Sequence, residues 1–98
     1  MPVDFEQNNI EKVARCMKAL AHPLRLKVLV ALNDKELSVQ DLVEAVGTTQ
    51  SNVSQHLTIM RDKHILSSRR EANQVFYRVG DCKVLELLEL TKSIFCTP

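Results

Sequence analysis

TTQSNVSQHLTIMRDK, residues 48–63, is the stretch whose reading decides the fold. It predicts one helix with two unlike faces. Val53, Leu57 and Met60 recur at i, i+4 and i+7, the spacing of an inward helical stripe. Gln50, Ser51, Asn52, Ser54, Gln55 and Thr58 crowd the other side. Their side chains are uncharged and both donate and accept hydrogen bonds. A merely solvated face more often carries Glu and Lys, which favour helix and solubility. A face of Gln, Asn and Ser is poorer for helix stability and suits the edges of DNA bases. On this helix alone, base readout and a plain polar surface explain the pattern equally well, so the flanks decide.

Upstream, Ser38 reads as an N-cap with Asp41 three residues on, the spacing of a capping box. The short helix SVQDLVEAV stops at Gly47 in the C′ role, and Thr48 or Thr49 caps the next helix. Two helices joined by a short turn containing glycine form a helix-turn-helix, a geometry also found in domains that bind no DNA. Before it, PLRLKVLVALN is apolar on nearly all sides and predicts a buried central helix. Pro23 suits its first position, and His22 is expected to cap or turn rather than bind a ligand. NIEKVARCMKALA, residues 9–21, predicts a first helix with the stripe Ile10, Val13, Ala14, Met17 and Leu20, and with Cys16 at its edge.

Downstream, Ile65–Arg70 and Val75–Val79 are rich in β-branched and aromatic residues. With a turn at Glu71–Gln74 they predict a two-stranded ribbon bearing arginines on both arms, a wing leaning on the helices. Asp81 caps the last helix, DCKVLELLELTKSIFC, with Val84, Leu87, Leu88, Thr91, Ile94 and Phe95 as its stripe. That is more apolar surface than a terminal helix on a small domain needs. With the first helix it suits a symmetric dimer seam; the simpler alternative is that it closes the monomer core.

Composition sets the outer limits. Ninety-eight residues, 45% apolar, are expected to make one domain over 1–98 with a flexible start at 1–8. Net charge is only +1, but five basic residues against two acidic ones fall between Arg61 and Gly80. Residues 38–60 carry only Asp41 and Glu44. The cations therefore follow the polar-faced helix, where phosphate contacts are useful. No apolar run approaches the roughly 18 residues of a membrane span, and the polar, acidic N-terminus is unlike a signal peptide, so a cytoplasmic protein is expected. Cys16, Cys82 and Cys96 are odd in number and lack CxxC spacing, against a disulfide scaffold or zinc finger. No Gly-rich phosphate loop, convergent carboxylates or Cys–His pair points to an enzyme, and no cofactor is expected.

The order is mainly α with a two-stranded β wing, α-α-α-α-β-β-α. At ALAHPLRLKVLVAL (19–32), ELSVQDL (36–42), TTQSNVSQHLTIMRDKHIL (48–66) and RREANQVFYRV (69–79) the chain resembles the ArsR/SmtB family of bacterial winged helix-turn-helix repressors. The first of these, QSNVSQHL and the terminal cysteine resemble its HlyU/BigR branch. The resemblance implies a homodimer through first and last helices, bound to an imperfect palindrome in double-stranded promoter DNA. It implies base contacts from Gln50, Ser51, Ser54 and Gln55, with Asn52 as a further candidate, and phosphate or minor-groove contacts from Arg69, Arg70 and Arg78. His56, nearer the core stripe, is expected to be structural.

The family's metal motifs are broken. Metalloid sensors carry cysteines where this chain has Ser38 and Gln40, poor substitutes toward a soft metal. Zinc and nickel sensors carry Asp-x-His and His-x-x-Glu on the last helix, where this chain reads Asp81-x-Lys83, then Ile94 and Thr97. No metal is expected at either site. Members that sense reactive sulfur pair a second-helix cysteine with one ending the last helix; Cys96 matches the latter, but the former is Val30. Cys16 is a substitute partner if first and last helices pack together, giving a dithiol responsive to sulfur species, oxidants or a soft metal. Cys82, near a helix N-terminus where thiols gain reactivity, is a third candidate. A role as small fillers or surface thiols accounts for all three equally well. The leading expectation is a DNA-binding repressor released by cysteine modification. The alternatives are a metal- or metalloid-responsive repressor with a non-standard cysteine site, a HlyU-like anti-repressor or activator, and a winged-helix protein-binding module.

Overall fold

Residue type and local signals place each element where the chain can bury one face and satisfy its ends. The computed structural model describes residues 3–96. The order is α1 (Gln7–Leu20), α2 (Pro23–Leu32), β1 (Leu37–Ser38), α3 (Val39–Val46), α4 (Gln50–Asp62), β2 (Leu66–Glu71), β3 (Gln74–Val79) and α5 (Lys83–Phe95). α2 touches α1, α3, α4 and β3, so it is the hub of the packing. Val28, Leu29 and Leu32 are fully buried, but Val30 on the far side is 69% exposed. The expected burial of α2 on nearly all sides is therefore corrected: one protomer of this size covers only one side of its central helix.

The helix ends follow the sequence except at α5, where Cys82 rather than Asp81 is the N-cap residue. His22 Nδ1 accepts from the Leu24 N–H at 3.1 Å, capping α2 with Pro23 at its first position. Ser38 Oγ accepts from the Asp41 N–H at 3.0 Å and Asp41 returns a longer bond, completing a capping box. Gly47 ends α3 in the left-handed conformation, φ +79°, which lets the chain turn at once into α4. Thr49, rather than Thr48, caps α4. α1 begins at Gln7, two residues before the predicted helix and inside the stretch expected to be flexible.

The sheet differs from expectation. It has three antiparallel strands, ordered β1-β3-β2, not two. β1 is only two residues long; Leu37 pairs with Tyr77 and Ser38 with Phe76. Both wing strands run one residue further into the turn than predicted, leaving Ala72 and Asn73 at the tip, with Ala72 at φ +54°.

The core gathers Val28, Leu29 and Leu32 from α2, Leu42 from α3, and Val53, Leu57 and Met60 from α4. Ile65, Leu66, Tyr77 and Val79 close it from the wing. The α1 stripe points largely away from it: Ile10, Val13 and Met17 are exposed, and Ala19 and Leu20 make the inward contact. α5 has no fully buried residue; Val84, Leu85 and Leu88 lie on the core while Leu90, Ile94 and Phe95 stand in solvent.

Leu57→Ala is expected to destabilise the fold by about 2–5 kcal/mol, because the fully buried side chain leaves a cavity between α2 and α4. Urea unfolding followed by circular dichroism measures the loss. A cost within about 0.5 kcal/mol would contradict this seating of α4.

Candidate nucleic-acid interface

Seating Val53, Leu57 and Met60 in the core turns the polar residues of α4 outward. Gln50, Ser51, Gln55 and Thr58 are exposed and Ser54 is half-buried. Gln50, Ser54 and Arg61 of α4 line a groove of about 390 Å³ together with Ser68, Arg69, Arg70, Val75 and Tyr77 of the wing. Arg61 was not among the sequence candidates. It stands seven residues after Ser54 and eleven after Gln50, spacings that keep all three on one side of a helix.

Asn52 is held by the turn. Its backbone N–H donates to Thr49 Oγ1 and its side-chain Nδ2 to Thr48 Oγ1, both at 3.2 Å. These bonds link the end of the turn to the first turn of α4. His56 is half-buried, accepts from Arg25 Nε at 3.0 Å, and fits the structural role expected of it.

The wing arginines divide between two faces. Strand alternation points the side chains of adjacent residues to opposite sides, so Arg69 and Arg70 have different partners although both border the groove. Register places Arg70 opposite Val75, on the groove side with Tyr77. Arg69 lies opposite Phe76, and Arg78 opposite Ser67, on the other face. There Arg69 Nε donates to Glu36 Oε1 and Oε2 at 3.0 and 2.9 Å, and Nη2 to Oε1 at 2.7 Å. Its Nη1 donates to Glu71 Oε2 at 2.6 Å, and its guanidinium lies 4.7 Å from the Phe76 ring centroid. The Arg69 hydrogen bond holds the Glu36 carboxyl below the usual carboxylate range, outweighing desolvation, and the charges of Arg69 and Arg78 add to it. Two carboxylates thus engage a cation that the sequence assigned to DNA.

Cys16 on α1 is half-buried, Cys82 and Cys96 at the ends of α5 are exposed, and all three are free thiols. Among the described residues no group of three or more His, Cys, Asp or Glu could hold a metal ion; Thr97 lies outside the described residues. Ser38 is occupied in the capping box and Asp81 Oδ1 accepts from the Lys83 N–H at 2.9 Å. No helix among the described residues is long and apolar enough to cross a membrane.

A helix seated by its apolar stripe, a polar outer face, a glycine turn before it and a cation-bearing β ribbon after it define a winged helix-turn-helix domain. Residues 22–68 match the model described as bacterial regulatory protein, arsR family. The chain is 37% identical over 98 residues to the Biofilm growth-associated repressor of Agrobacterium fabrum, covering 100% of this chain and 84% of that protein. It belongs to the ArsR family of DNA-binding transcriptional regulators. Among solved structures, HlyU from Vibrio cholerae superposes with a TM-score of 0.82 at 35% identity, over 94% of this chain and 100% of that one. The homodimeric winged helix-turn-helix domain Mb0332 from Mycobacterium bovis gives 0.80 at 27% identity, over 96% and 89%. Likeness to HlyU, and to BigR from Xylella fastidiosa, bears out the HlyU/BigR-like branch implied by the motifs.

Replacing Arg69 by Ala is expected to speed amide hydrogen exchange across the β1–β3 pairing, while Arg70→Ala leaves it unchanged. The Glu36 carboxyl is lowered, so its contribution is full above the ordinary carboxylate pKa and fades as pH falls through the lowered value. Equal exchange in the two variants would show that Arg69 does not brace the wing.

Proposed function

We propose that this regulator binds a palindromic promoter site as a homodimer and represses from it, each α4 entering one major groove. The observation that carries the reading is the outer face of α4: Gln50, Ser51, Ser54 and Gln55 stand clear of the core, with Arg61 and Arg70 lining the adjoining groove. Gln50 and Gln55 suit bidentate bonds to adenine edges, each worth roughly 1–3 kcal/mol of discrimination. Arg61, Arg70 and Arg78 supply phosphate or minor-groove contacts that hold the register. Asn52 fixes the turn, and Arg69 braces the wing that presents Arg70.

Dimerisation uses the exposed apolar residues of α1 and α5. Ile10, Val13 and Met17 on one helix, and Leu90, Ile94 and Phe95 on the other, are more apolar surface than a monomer needs. Mb0332, a homodimer, supports this assembly. Repression is the output named for the Agrobacterium relative. The working compartment is the cytoplasm, where promoter DNA lies, and residues 1–98 act as one domain.

Gln55→Ala is expected to lower affinity for DNA upstream of the protein's own gene by about tenfold, with little effect on random DNA. Arg70→Ala is expected to weaken both and to reduce the salt slope by about one. Gel shifts and anisotropy titrations at several salt concentrations measure this. Equal losses for the two variants on both DNAs, or a flat salt dependence, would refute this division of roles between helix and wing.

Release is assigned to thiols at the dimer surface. Cys96 directly follows the exposed Ile94–Phe95 pair, and Cys16 is on α1, whose apolar residues share that seam. Treatment with polysulfide or peroxide is expected to join Cys16 to Cys96 in mass spectra and to lower operator affinity; Cys96→Ser is expected to lose both responses. No crosslink and unchanged affinity would remove the thiol mechanism and leave the DNA reading intact.

A further inference from the structure

His56 belongs to α4 but takes no part in the groove. Its Nδ1 accepts from Arg25 Nε at 3.0 Å. The same guanidinium donates through Nη1 to the Ala19 carbonyl at 2.9 Å, at the end of α1. The His56 ring packs against His22, centroids 4.4 Å apart and planes at 44°. His22 in turn uses its Nδ1 to cap α2, at 3.1 Å from the Leu24 nitrogen. One arginine and two rings therefore join α1, α2 and α4, and each ring holds its neighbour through an acceptor nitrogen that carries no proton.

We infer that Arg25, His22 and His56 form a proton-sensitive clasp that positions the recognition helix, closed while both rings are neutral and opened when either takes up a proton. The inference rests on α4 as the helix that reads DNA. A proton on His56 Nδ1 sets an N–H against the Arg25 N–H and abolishes that bond. A proton on His22 Nδ1 removes the cap on the Leu24 N–H. Either imidazolium also faces the other ring and the Arg25 guanidinium at close range. α4 then loses its polar tie to α1 and α2, and its outer face loses its fixed angle to the wing.

The surroundings agree. Burial is the largest influence holding the His56 pKa below that of a free imidazole, followed by the charges of His22 and Arg25. Among the described residues, the charges that act on His56 are those of His22 and Arg25. Arg15 and Lys18 of α1 and Lys63 after α4 line a surface depression together with Arg25, Ala19 and Ile59. Asp41, on the neighbouring α3, is engaged by Ser38. A folded pKa below the unfolded value of about 6.5 means the unfolded chain takes up the proton first. The Arg25–His56 bond is therefore complete above about 6.5 and is lost as pH falls through the lowered folded value of His56.

The test uses the full chain and DNA upstream of its own gene, at constant ionic strength, between about pH 8 and about pH 5.5. Specific affinity relative to random DNA is expected to fall about tenfold across that range. His56→Asn and His22→Asn each keep an acceptor near the Nδ1 position without an ionisable ring, and the double variant is expected to change less than about twofold. A double variant that keeps the wild-type pH dependence overturns the clasp. NMR of the free protein tests it without DNA: the His56 ring is expected to titrate below about 6.5, with α4 amides exchanging faster as it does. Titration with unchanged α4 exchange also overturns it. Absence of specific DNA binding at every pH would instead refute the reading of α4, and the NMR result would still decide the clasp.

Discussion

Everything this protein presents depends on how α4 is seated. Val53, Leu57 and Met60 are fully buried against α2 and α3, and burying such side chains contributes about 1.5–3 kcal/mol each. The gain is large enough that the helix cannot rotate about its axis without exposing them. Fixing one face of a helix fixes the other. The direction of Gln50, Ser54 and Gln55 therefore follows from apolar packing, although none of the three contributes to that packing. The Ser38 capping box, the Gly47 turn and the Thr49 cap then set where the helix begins.

A second constraint fixes the wing. A two-stranded ribbon is marginal in water. Here β1 adds a third strand, Leu66, Tyr77 and Val79 bury one face, and Arg69 works on the other. Arg69 joins Glu36, before β1, to Glu71, near the ribbon tip, while lying over Phe76. These groups are exposed enough that the pairing positions the ribbon more than it stabilises the fold. Its consequence is geometric: with Arg69 occupied on the outer face, Arg70 is presented toward the groove beside α4.

What could be read from the chain alone was whatever repeats within a few residues. The α4 stripe, the Ser38–Asp41 box, the Gly47 stop and the His22–Pro23 start are local patterns, and the structure reproduces them. Contacts between distant segments left no such trace. β1 is two residues long and has no periodicity to detect; only its pairing with β3 makes it a strand. Glu36 and Arg69 are 33 residues apart, and Arg25 and His56 are 31 apart. The split between Arg69 and Arg70 was legible all the same. They are adjacent on a predicted strand, so alternation alone requires that they face opposite ways. The family motifs single out α4, yet a motif names residue types and cannot say which arginine already has partners.

The exposed apolar residues show where control of α4 can enter. α1 and α5 contribute little to the core, and α1 exposes Ile10, Val13 and Met17. A helix of that kind is stable when a second surface covers it. Ala19, in the last turn of α1, holds Arg25 through its carbonyl, and Arg25 holds His56 on α4. Two hydrogen bonds link the last turn of α1 to the flank of α4. The apolar seating of α4 resists rotation about its axis, and the Arg25–His56 bond adds a polar tie on its flank. Anything that shifts the end of α1 or neutralises that tie can alter the angle of the polar face while the core remains intact.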